Sequence, residues 1–280
     1  MKPAAFEYHR VATAEEAIDR LAELGEDAKV LAGGQSLVPM MNFRIVRPPA
    51  LVDVSRVPDL AYLARDGDAL RIGALALHRD VEHARDDLLD GFGVLKRAAP
   101  LVGHMPIRAR GTFGGSVAHG DPASEWCLLA VALGAEIVAR GPDGERTVPA
   151  DEFFLGFFTT ALEPGELLCE VRFPAPRPRA ALEEFARRHG DYAIVAAAVA
   201  LDGEPRVVIG GVDAVPVRAG AAEAVLAGGE PDAEAIEEAA QAAAGEVDPG
   251  SDVHGSADYR RKLTAVMVRR ALHRAVGDGA

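Results

Sequence analysis

Apolar residues recur along the chain at two spacings, one typical of helices and one of buried strands. From 17 to 24 they recur at helical spacing behind a capping-box pair, Thr13 and Glu16, and Gly25 ends the pattern. Two short apolar runs, 29–31 and 50–54, predict buried strands. The first segment of the chain therefore predicts a β-α-β unit.

The middle of the chain, from 60 to 173, mixes both patterns. Strands are predicted at 70–74, 135–139, 145–148 and 167–173, and helices at 77–89, 92–102 and 123–133. Pro100 should bend the second of these helices, because proline removes a backbone donor from a helix interior. The turn sequence Gly141-Pro-Asp-Gly144 predicts that the strands on either side of it form an antiparallel hairpin.

Three prolines between 174 and 178 mark the clearest boundary, since such a run joins neither a helix nor a sheet interior. Beyond it, strands are predicted at 193–201 and 206–209, and helices at about 231–245 and 256–277. We therefore expect an N-terminal domain at 1–176 and a C-terminal domain at 177–280. Within the first, 1–57 should be a βαβ subdomain and 58–176 an α+β subdomain.

A length of 280 residues predicts two lobes. The hydrophobic fraction of 49% is enough for a packed core and predicts a globular protein. The net charge of −13 argues against nucleic acid or membrane lipid as the main partner, and no apolar run is long enough for a membrane span. No signal-peptide pattern begins the chain, which predicts a cytoplasmic protein. Cys127 and Cys169 have no close cysteine or histidine companion, so an iron–sulfur cluster or zinc site is not expected here.

The segment from Val30 to Leu37 is the first candidate for chemistry. A glycine pair directly after a buried strand, with Ser36 opening the next helix, forms a loop whose backbone N–H groups can bind phosphate oxygens. The alternative is a plain strand-to-helix turn with Ser36 as N-cap, and on this motif alone the plain turn is the better interpretation.

The segment from 107 to 121 is the second candidate, because four of its residues are glycines interleaved with small polar side chains. Such a backbone is typical of a chain wrapped around a ligand. Taken singly, His119 is better explained as a histidine satisfied by a backbone carbonyl, and Asp121 as the cap of the following helix. Two such segments in one chain favour a pyrophosphate site, although the dinucleotide motif G-x-G-x-x-G and the P-loop are both missing from the sequence.

At these residues the sequence resembles the flavoprotein (medium) subunits of the molybdenum hydroxylases, which include the carbon monoxide dehydrogenase medium subunit and the FAD domain of xanthine dehydrogenases. The resemblance spans essentially the whole chain. Its most specific parts are Ala32-Gly-Gly-Gln-Ser-Leu37, Pro48-Pro-Ala-Leu-Val-Asp53 and the run from Ile107 to Pro122. Weaker signatures are Gly190-Asp-Tyr-Ala193, Gly211 with Pro216 and Arg218, and Ser256-Ala-Asp-Tyr-Arg260.

The resemblance implies an α+β chain with a vanillyl-alcohol-oxidase-type FAD-binding fold of two subdomains. A C-terminal lobe with a three-stranded antiparallel sheet and helices should follow. The implied FAD is noncovalent, with its pyrophosphate held by backbone amides of Val30, Leu31, Ala32, Gly33, Gly34, Gln35, Ser36 and Leu37 and of Thr112, Phe113, Gly114, Gly115 and Ser116. By the same similarity, Val102, Glu125 and Leu168 would approach the flavin or adenine end, His119 and Asp121 the ribityl or pyrophosphate region, and Tyr192 the isoalloxazine.

Two positions depart from the family pattern. Gln35 stands where many relatives have histidine, and the pair Glu183-Glu184 is acidic where some relatives place a lysine near the isoalloxazine edge. Because that lysine would favour an anionic reduced flavin, the resemblance leaves the flavin potential and the terminal acceptor open.

The implied function is electron relay in an oxidoreductase complex. A molybdenum large subunit would oxidise the substrate, and an iron–sulfur small subunit would pass electrons to FAD, which delivers them to NAD, a quinone or oxygen. The molybdenum cofactor and the iron–sulfur clusters would lie on the partner subunits, so a large, partly apolar docking face is expected. The alternatives are a stand-alone FAD-dependent oxidoreductase with its own small substrate and a binding module for phosphorylated metabolites.

Overall fold

The N-terminal part of the computed structural model is a three-stranded parallel sheet with two helices. The model describes residues 1–277, so the last three residues of the predicted C-terminal domain, 278–280, lie outside the described residues. The elements are β1 (Glu7–Arg10), α1 (Ala14–Leu24), β2 (Lys29–Leu31), α2 (Leu37–Asn42) and β3 (Ala50–Asp53), with strand order β1-β3-β2. Since all three strands are parallel, their carboxyl ends meet at one edge, from which the 32–36 loop emerges.

The predicted cap of α1 is present. The hydroxyl oxygen of Thr13 accepts a hydrogen bond from the Glu16 amide at 3.1 Å, and the Glu16 carboxylate accepts one from the amide of Ala12 at 2.8 Å. Gly25 follows the helix with φ +81°, a conformation that glycine adopts without strain.

The middle part is a five-stranded antiparallel sheet with short helices on it. The elements are β4 (Leu63–Asp66), β5 (Ala69–Gly73), α3 (His78–Glu82), α4 (Gly93–Ala98), α5 (Met105–Arg108), α6 (Phe113–His119), α7 (Glu125–Ala132), β6 (Glu136–Gly141), β7 (Gly144–Pro149), α8 (Ala150–Phe153), β8 (Phe154–Gly156), β9 (Thr159–Thr160) and β10 (Leu167–Phe173). The sheet order is β4-β5-β10-β6-β7, and β8 pairs with β9 in a separate hairpin. The predicted hairpin at Gly141–Gly144 is confirmed, since β6 and β7 pair antiparallel across it.

Two predictions in this part are corrected. The helix predicted at 77–89 is only α3, and the chain then continues in turns that bury Leu89 and Phe92 in the core, so packing overrides the helical pattern. The helix predicted at 92–102 ends at Ala98 and continues as one 3-10 turn, Ala99–Leu101, which contains Pro100. The glycine-rich segment 107–121, for which no helix or strand is predicted from the sequence, contains the helix α6.

A buried carboxylate joins the strands of the five-stranded sheet. Glu170 of β10 is 3% exposed, and it accepts hydrogen bonds from Arg71 at 2.7 Å, from Arg172 at 2.9 Å and from the hydroxyl of Tyr62. Burial and the neighbouring Glu170 raise the pKa of Tyr62 to about 12. Several charge-assisted hydrogen bonds of this kind offset the cost of burying the carboxylate.

The C-terminal lobe is an antiparallel sheet covered on one face by helices. Its elements are β11 (Ala180–Phe185), β12 (Val195–Ala200), β13 (Arg206–Gly210), β14 (Val217–Arg218), α9 (Gly220–Leu226), α10 (Ala233–Glu246) and α11 (Ala257–Gly277). The order is β11-β12-β13-β14, so the three strands expected from the resemblance carry a fourth of two residues.

The lobes share one hydrophobic core. Helix α7 is apolar all round, with Trp126, Leu128 and Leu129 fully buried, and it packs against both β12 and β13. A second cluster lies between the C-terminal sheet and α9, α10 and α11. Among residues 1–277, no helix is long and apolar enough to cross a membrane.

Candidate functional site

The first glycine loop carries unpaired backbone donors. The amides of Gly33, Gly34, Gln35 and Ser36 have no hydrogen-bond acceptor within the part of the chain that the structure describes. Gly34 has φ +70°, and the side-chain amide of Gln35 donates to the carbonyl of Gly33 at 3.0 Å, which closes the loop. Ser36 stands at the N-cap position of α2, but its hydroxyl makes no capping bond there. These residues are half-buried, so the four donors face water or a ligand.

The second glycine segment differs from the first, because the amides from Phe113 to Ser116 already have acceptors. The amide of Phe113 donates to the carbonyl of Ala76 at 2.8 Å, and that of Gly114 donates to the carbonyl of Ala74 at 3.0 Å. The amides of Gly115 and Ser116 donate to the Thr112 side chain and carbonyl, both at 3.1 Å. The expected amide cradle is thus uneven, with its unpaired donors in the 32–36 loop.

The structure brings these two segments into direct contact, although about 80 residues separate them in the sequence. A Cβ on Gly33 would lie 2.3 Å from the carbonyl oxygen of Arg110 and 2.8 Å from the Cα of Gly111. A Cβ on Gly115 would lie 3.8 Å from the Cβ of Ala32. The absence of a side chain at Gly33 therefore allows backbone to meet backbone.

A histidine that the sequence analysis did not identify supports the second segment. The amide of His78 donates to the carbonyl of Gly111 at 3.1 Å, and its ring lies where a Gly111 side chain would be. The indole N–H of Trp126 can only donate, and it lies 3.0 Å from Nδ1 of His78, so that nitrogen accepts. Burial, followed by the charge of Arg108, lowers the pKa of His78 to about 4, which keeps the ring neutral.

Acidic side chains gather beyond α6. Burial raises the pKa of Asp121, and burial together with the charge of Glu184 raises that of Glu125. Burial and the charge of Glu183 raise the pKa of Glu184, whose Oε2 is buried with no hydrogen-bond partner among the described residues. Glu184 was singled out in the sequence only as a departure from the family pattern, and the fold places it beside a predicted site residue.

Asp121 does not cap α7 as predicted. Its carboxylate accepts a hydrogen bond from the amide of Ala123 at 2.9 Å, inside the turn that precedes the helix, and Ser124 stands at the N-cap. His119, at the end of α6, stacks on Phe158 with ring centroids 4.8 Å apart, and burial lowers its pKa. The plain interpretations, a histidine satisfied by a backbone carbonyl and an aspartate that caps α7, therefore do not fully describe these contacts.

Tyr192 lies on the loop before β12, and we use the term groove for the space bordered by this residue, the 32–36 loop and the start of α6. Tyr192 is 67% exposed, yet the surrounding protein and then the charges of Asp121 and Glu125 raise the pKa of its phenol, while Ser36 offsets this with a side-chain hydrogen bond. The C-terminal lobe thus reaches back to both the first glycine loop and the acidic side chains.

Val102 and Leu168 are the remaining predicted residues, and both are buried. Leu168 lies at a register shift in β10. The carbonyl of the next residue, Cys169, accepts a hydrogen bond from the amide of Ala74, and the carbonyl of Ala74 accepts one from the amide of Gly114. Val102 ends the 3-10 turn and precedes Gly103. Backbone hydrogen bonds therefore link the neighbour of Leu168 to the second glycine segment, and the part of a ligand that either residue would contact stays a prediction.

Two surface cavities of about 350 and 180 Å³ lie elsewhere. The larger is lined by Glu15, Asp19 and Arg140, and the smaller by Asp151 and Arg218 among others. None of the predicted cofactor residues lines either cavity, so the candidate site is the groove between the 32–36 loop, the start of α6 and Tyr192.

Family models match nearly the whole chain. The FAD binding domain in molybdopterin dehydrogenase matches residues 4–176, and the CO dehydrogenase flavoprotein C-terminal domain matches residues 180–275. The chain belongs to the FAD-binding subunits of the molybdenum hydroxylases. It is an FAD-binding oxidoreductase subunit, and the predictions of family, fold class and FAD are confirmed.

Individual relatives agree along their full lengths. The 6-hydroxypseudooxynicotine dehydrogenase complex subunit alpha of Paenarthrobacter nicotinovorans is 41% identical over 288 residues, which cover 98% of this chain and 97% of the relative. The carbon monoxide dehydrogenase medium chain of Hydrogenophaga pseudoflava is 38% identical over 98% of each chain. The solved carbon monoxide dehydrogenase of H. pseudoflava superposes with TM-score 0.95 at 39% identity, covering 99% of both chains. Quinoline 2-oxidoreductase from Pseudomonas putida 86 gives TM-score 0.93 at 35% identity, with 99% coverage of each.

The residues present in the groove fit FAD. Four unpaired amides at the carboxyl edge of a parallel sheet suit the oxygens of a pyrophosphate. Near these amides, an aromatic ring at Tyr192 and buried carboxyls offer stacking and hydrogen bonds to a heterocycle.

Proposed function

We propose that this subunit holds one FAD noncovalently in the groove and relays electrons from iron–sulfur clusters of a partner to a terminal acceptor. The observation that carries the proposal is the set of four unpaired amides at Gly33 to Ser36, held against the second glycine segment. When bound, FAD supplies the conversion between one-electron and two-electron transfer. The acceptor, whether NAD, a quinone or oxygen, and the molybdenum subunit lie outside this chain.

The chain's own residues bind and orient the cofactor. The amides of Gly33 to Ser36 would donate to the pyrophosphate, and the close approach at Gly33 sets this loop directly against the second glycine segment. Tyr192 would cover the ring system from the C-terminal lobe. Because burial raises the pKa of both Glu125 and Glu184, these carboxyls hold protons at higher pH than ordinary glutamates and would donate hydrogen bonds to ring acceptors.

An exposed apolar hairpin next to the groove supports docking of a partner subunit. In β8 and the following turn, Leu155 is 63%, Phe157 65% and Phe158 52% exposed. Phe158 stacks on His119, so the hairpin adjoins the predicted flavin contacts. Exposed apolar side chains grouped in this way mark interaction surfaces. This placement would bring a partner's electron carrier close to the groove.

The test is to purify the chain, record its visible spectrum and identify the chromophore released by acid precipitation. About one FAD released per chain is expected, since the site is noncovalent and holds a single dinucleotide. A colourless protein that also fails to take up added FAD would contradict the binding step. Co-expression with candidate iron–sulfur and molybdenum subunits from the same organism should then give a complex, whereas substrate turnover by the isolated chain would contradict the relay role.

A further inference from the structure

Arg260 is a buried arginine at the start of α11, within the Ser256-Ala-Asp-Tyr-Arg260 signature that the flavin site does not use. It is 8% exposed. One of its terminal nitrogens, Nη1, donates to the carbonyl of Ile194 at 2.7 Å and to that of Gly211 at 2.8 Å. The other, Nη2, lies 2.8 Å from both carboxylate oxygens of Asp252. One side chain thus ties together the ends of two strands and the loop before its own helix.

The two carbonyls belong to segments that lead to the groove. Ile194 follows Tyr192 by two residues, and its amide donates to the carbonyl of Phe185 at 2.8 Å, which starts the pairing of β12 with β11. Gly211 directly follows β13 with φ +75°, and its amide donates to the carbonyl of Pro122 at 3.2 Å. A Cβ on Gly211 would lie only 2.8 Å from the oxygen of Ile194. The guanidinium therefore sits where the Tyr192 loop joins the sheet.

The first residue of the Tyr192 loop, Gly190, packs against Gly103 and His104. Gly190 has φ +83°, and a Cβ there would lie 2.4 Å from the ring of His104 and 3.0 Å from the carbonyl oxygen of Gly103. The loop from Gly190 to Ile194 is thus held at its first residue by close packing and at its last by Arg260. Arg260 is therefore one of several restraints on this loop, beside the bond from the Ile194 amide to Phe185 and the bond between Tyr192 and Ser36.

Only arginine satisfies these partners. Four N–H groups in a planar fork reach two carbonyls on one side and a bidentate carboxylate on the other, whereas a lysine ammonium has three donors and no plane. The carboxylate is itself held by the amides of His254 at 2.9 Å and Gly255 at 3.1 Å. The bonds from Arg260, followed by those from the His254 amide, lower the pKa of Asp252 to about 2, so the pair stays charged at any working pH.

We propose that Arg260, anchored by Asp252, is a positioning residue that sets the placement of Tyr192 against the flavin. This inference rests on the proposed function of the groove. Arg260 does not touch the groove and acts through the Ile194 carbonyl, so its loss should displace Tyr192 while the glycine loops keep their geometry.

The test compares Arg260→Lys with Arg261→Lys, a neighbour whose ion pairs with Asp248 and Asp258 lie at the surface. All tyrosines are replaced by 3-fluorotyrosine, and the Tyr192 resonance is assigned with Tyr192→Phe. In the protein stripped of flavin, the ¹⁹F resonance of Tyr192 should shift or broaden in Arg260→Lys and stay in place in Arg261→Lys. The resonances of Tyr8 and Tyr62, which lie in other parts of the fold, should stay in place in both.

Titration with FAD gives the second readout. Arg260→Lys should raise the Kd at least tenfold, and in a Tyr192→Ala background the same substitution should raise it less than threefold, because the ring it positions is gone. If Arg260→Lys does not fold, the same measurements are made on Asp252→Asn, a milder change in the carboxylate partner of Arg260. An unmoved Tyr192 resonance in the folded variant, or an equal loss of affinity with and without the Tyr192 ring, would overturn the inference. If the wild-type protein takes up no FAD, the proposed function fails, and the ¹⁹F comparison still decides whether Arg260 positions Tyr192.

Discussion

Replacing Gly33 by alanine tests whether the two glycine segments must touch for FAD to bind. The new Cβ would lie 2.3 Å from the carbonyl oxygen of Arg110, whereas ordinary contact begins at 3.4 Å, so the backbones must separate by about 1.1 Å (3.4 − 2.3). Both contacting groups are backbone, so no side chain can rotate away. Overpacking of this kind costs about 1–3 kcal/mol. If that cost falls on the bound state, the Kd for FAD rises about 5- to 150-fold.

The assay is titration of flavin-free protein with FAD, followed by quenching of flavin fluorescence, together with thermal melts of the flavin-free protein. The matched control is Gly245→Ala, because a Cβ there has nothing within 4 Å and the residue lies in helix α10. That variant should bind FAD normally and gain about 0.5–1 kcal/mol of stability from better helix propensity. Unchanged FAD affinity in a folded Gly33→Ala variant would refute the reasoning, since the predicted separation would then not matter to the site.

Three further predictions follow from the contacts. Glu184→Gln should stabilise the protein more at pH 8 than at pH 5, as measured by thermal melts. The pKa of Glu184 is raised in the folded state, so this residue destabilises the fold as pH rises from about 4.5 through the raised pKa, and glutamine removes that cost. Arg108→Met should lower the free energy of unfolding by about 3 kcal/mol in urea titrations, because it leaves the half-buried Glu82 and two backbone carbonyls without their donor. Phe157→Asp should abolish co-purification with partner subunits while FAD content stays at wild-type level, since the ring is exposed and makes no contact with the glycine loops.

Each of these variants has a control of the same chemistry. Glu26→Gln changes an exposed glutamate and should show no pH-dependent gain. Arg85→Met removes a surface ion pair with Asp87 and should lower the free energy of unfolding far less than Arg108→Met does. Val253→Asp places a charge at an exposed apolar residue of the C-terminal lobe and should leave the complex intact. Equal effects in a variant and its control would contradict the structural reason given for that variant.

Local patterns in the sequence were sufficient for the elements whose stability is local. The capping pair Thr13 and Glu16, the turn at Gly141–Gly144 and the strand Leu167–Phe173 act within a few residues of themselves, and all are present as predicted. The helix predicted at 77–89 failed because its apolar residues are buried by turns, which only the surrounding core decides. The strand Ala180–Phe185 was missed, since its run Ala-Ala-Leu-Glu-Glu-Phe has little alternation.

By itself, the sequence determined the two glycine-rich segments, the family to which they belong and therefore the cofactor. Only the tertiary structure decided which segment has amides free to bind a ligand: they are unpaired in the 32–36 loop and paired in α6. It also decided that Glu184 lies beside Glu125 and that Arg260 holds the loop of Tyr192. The physical reason is that the state of a donor or a carboxyl depends on which distant residues fold against it, whereas a glycine's conformational freedom belongs to the residue itself.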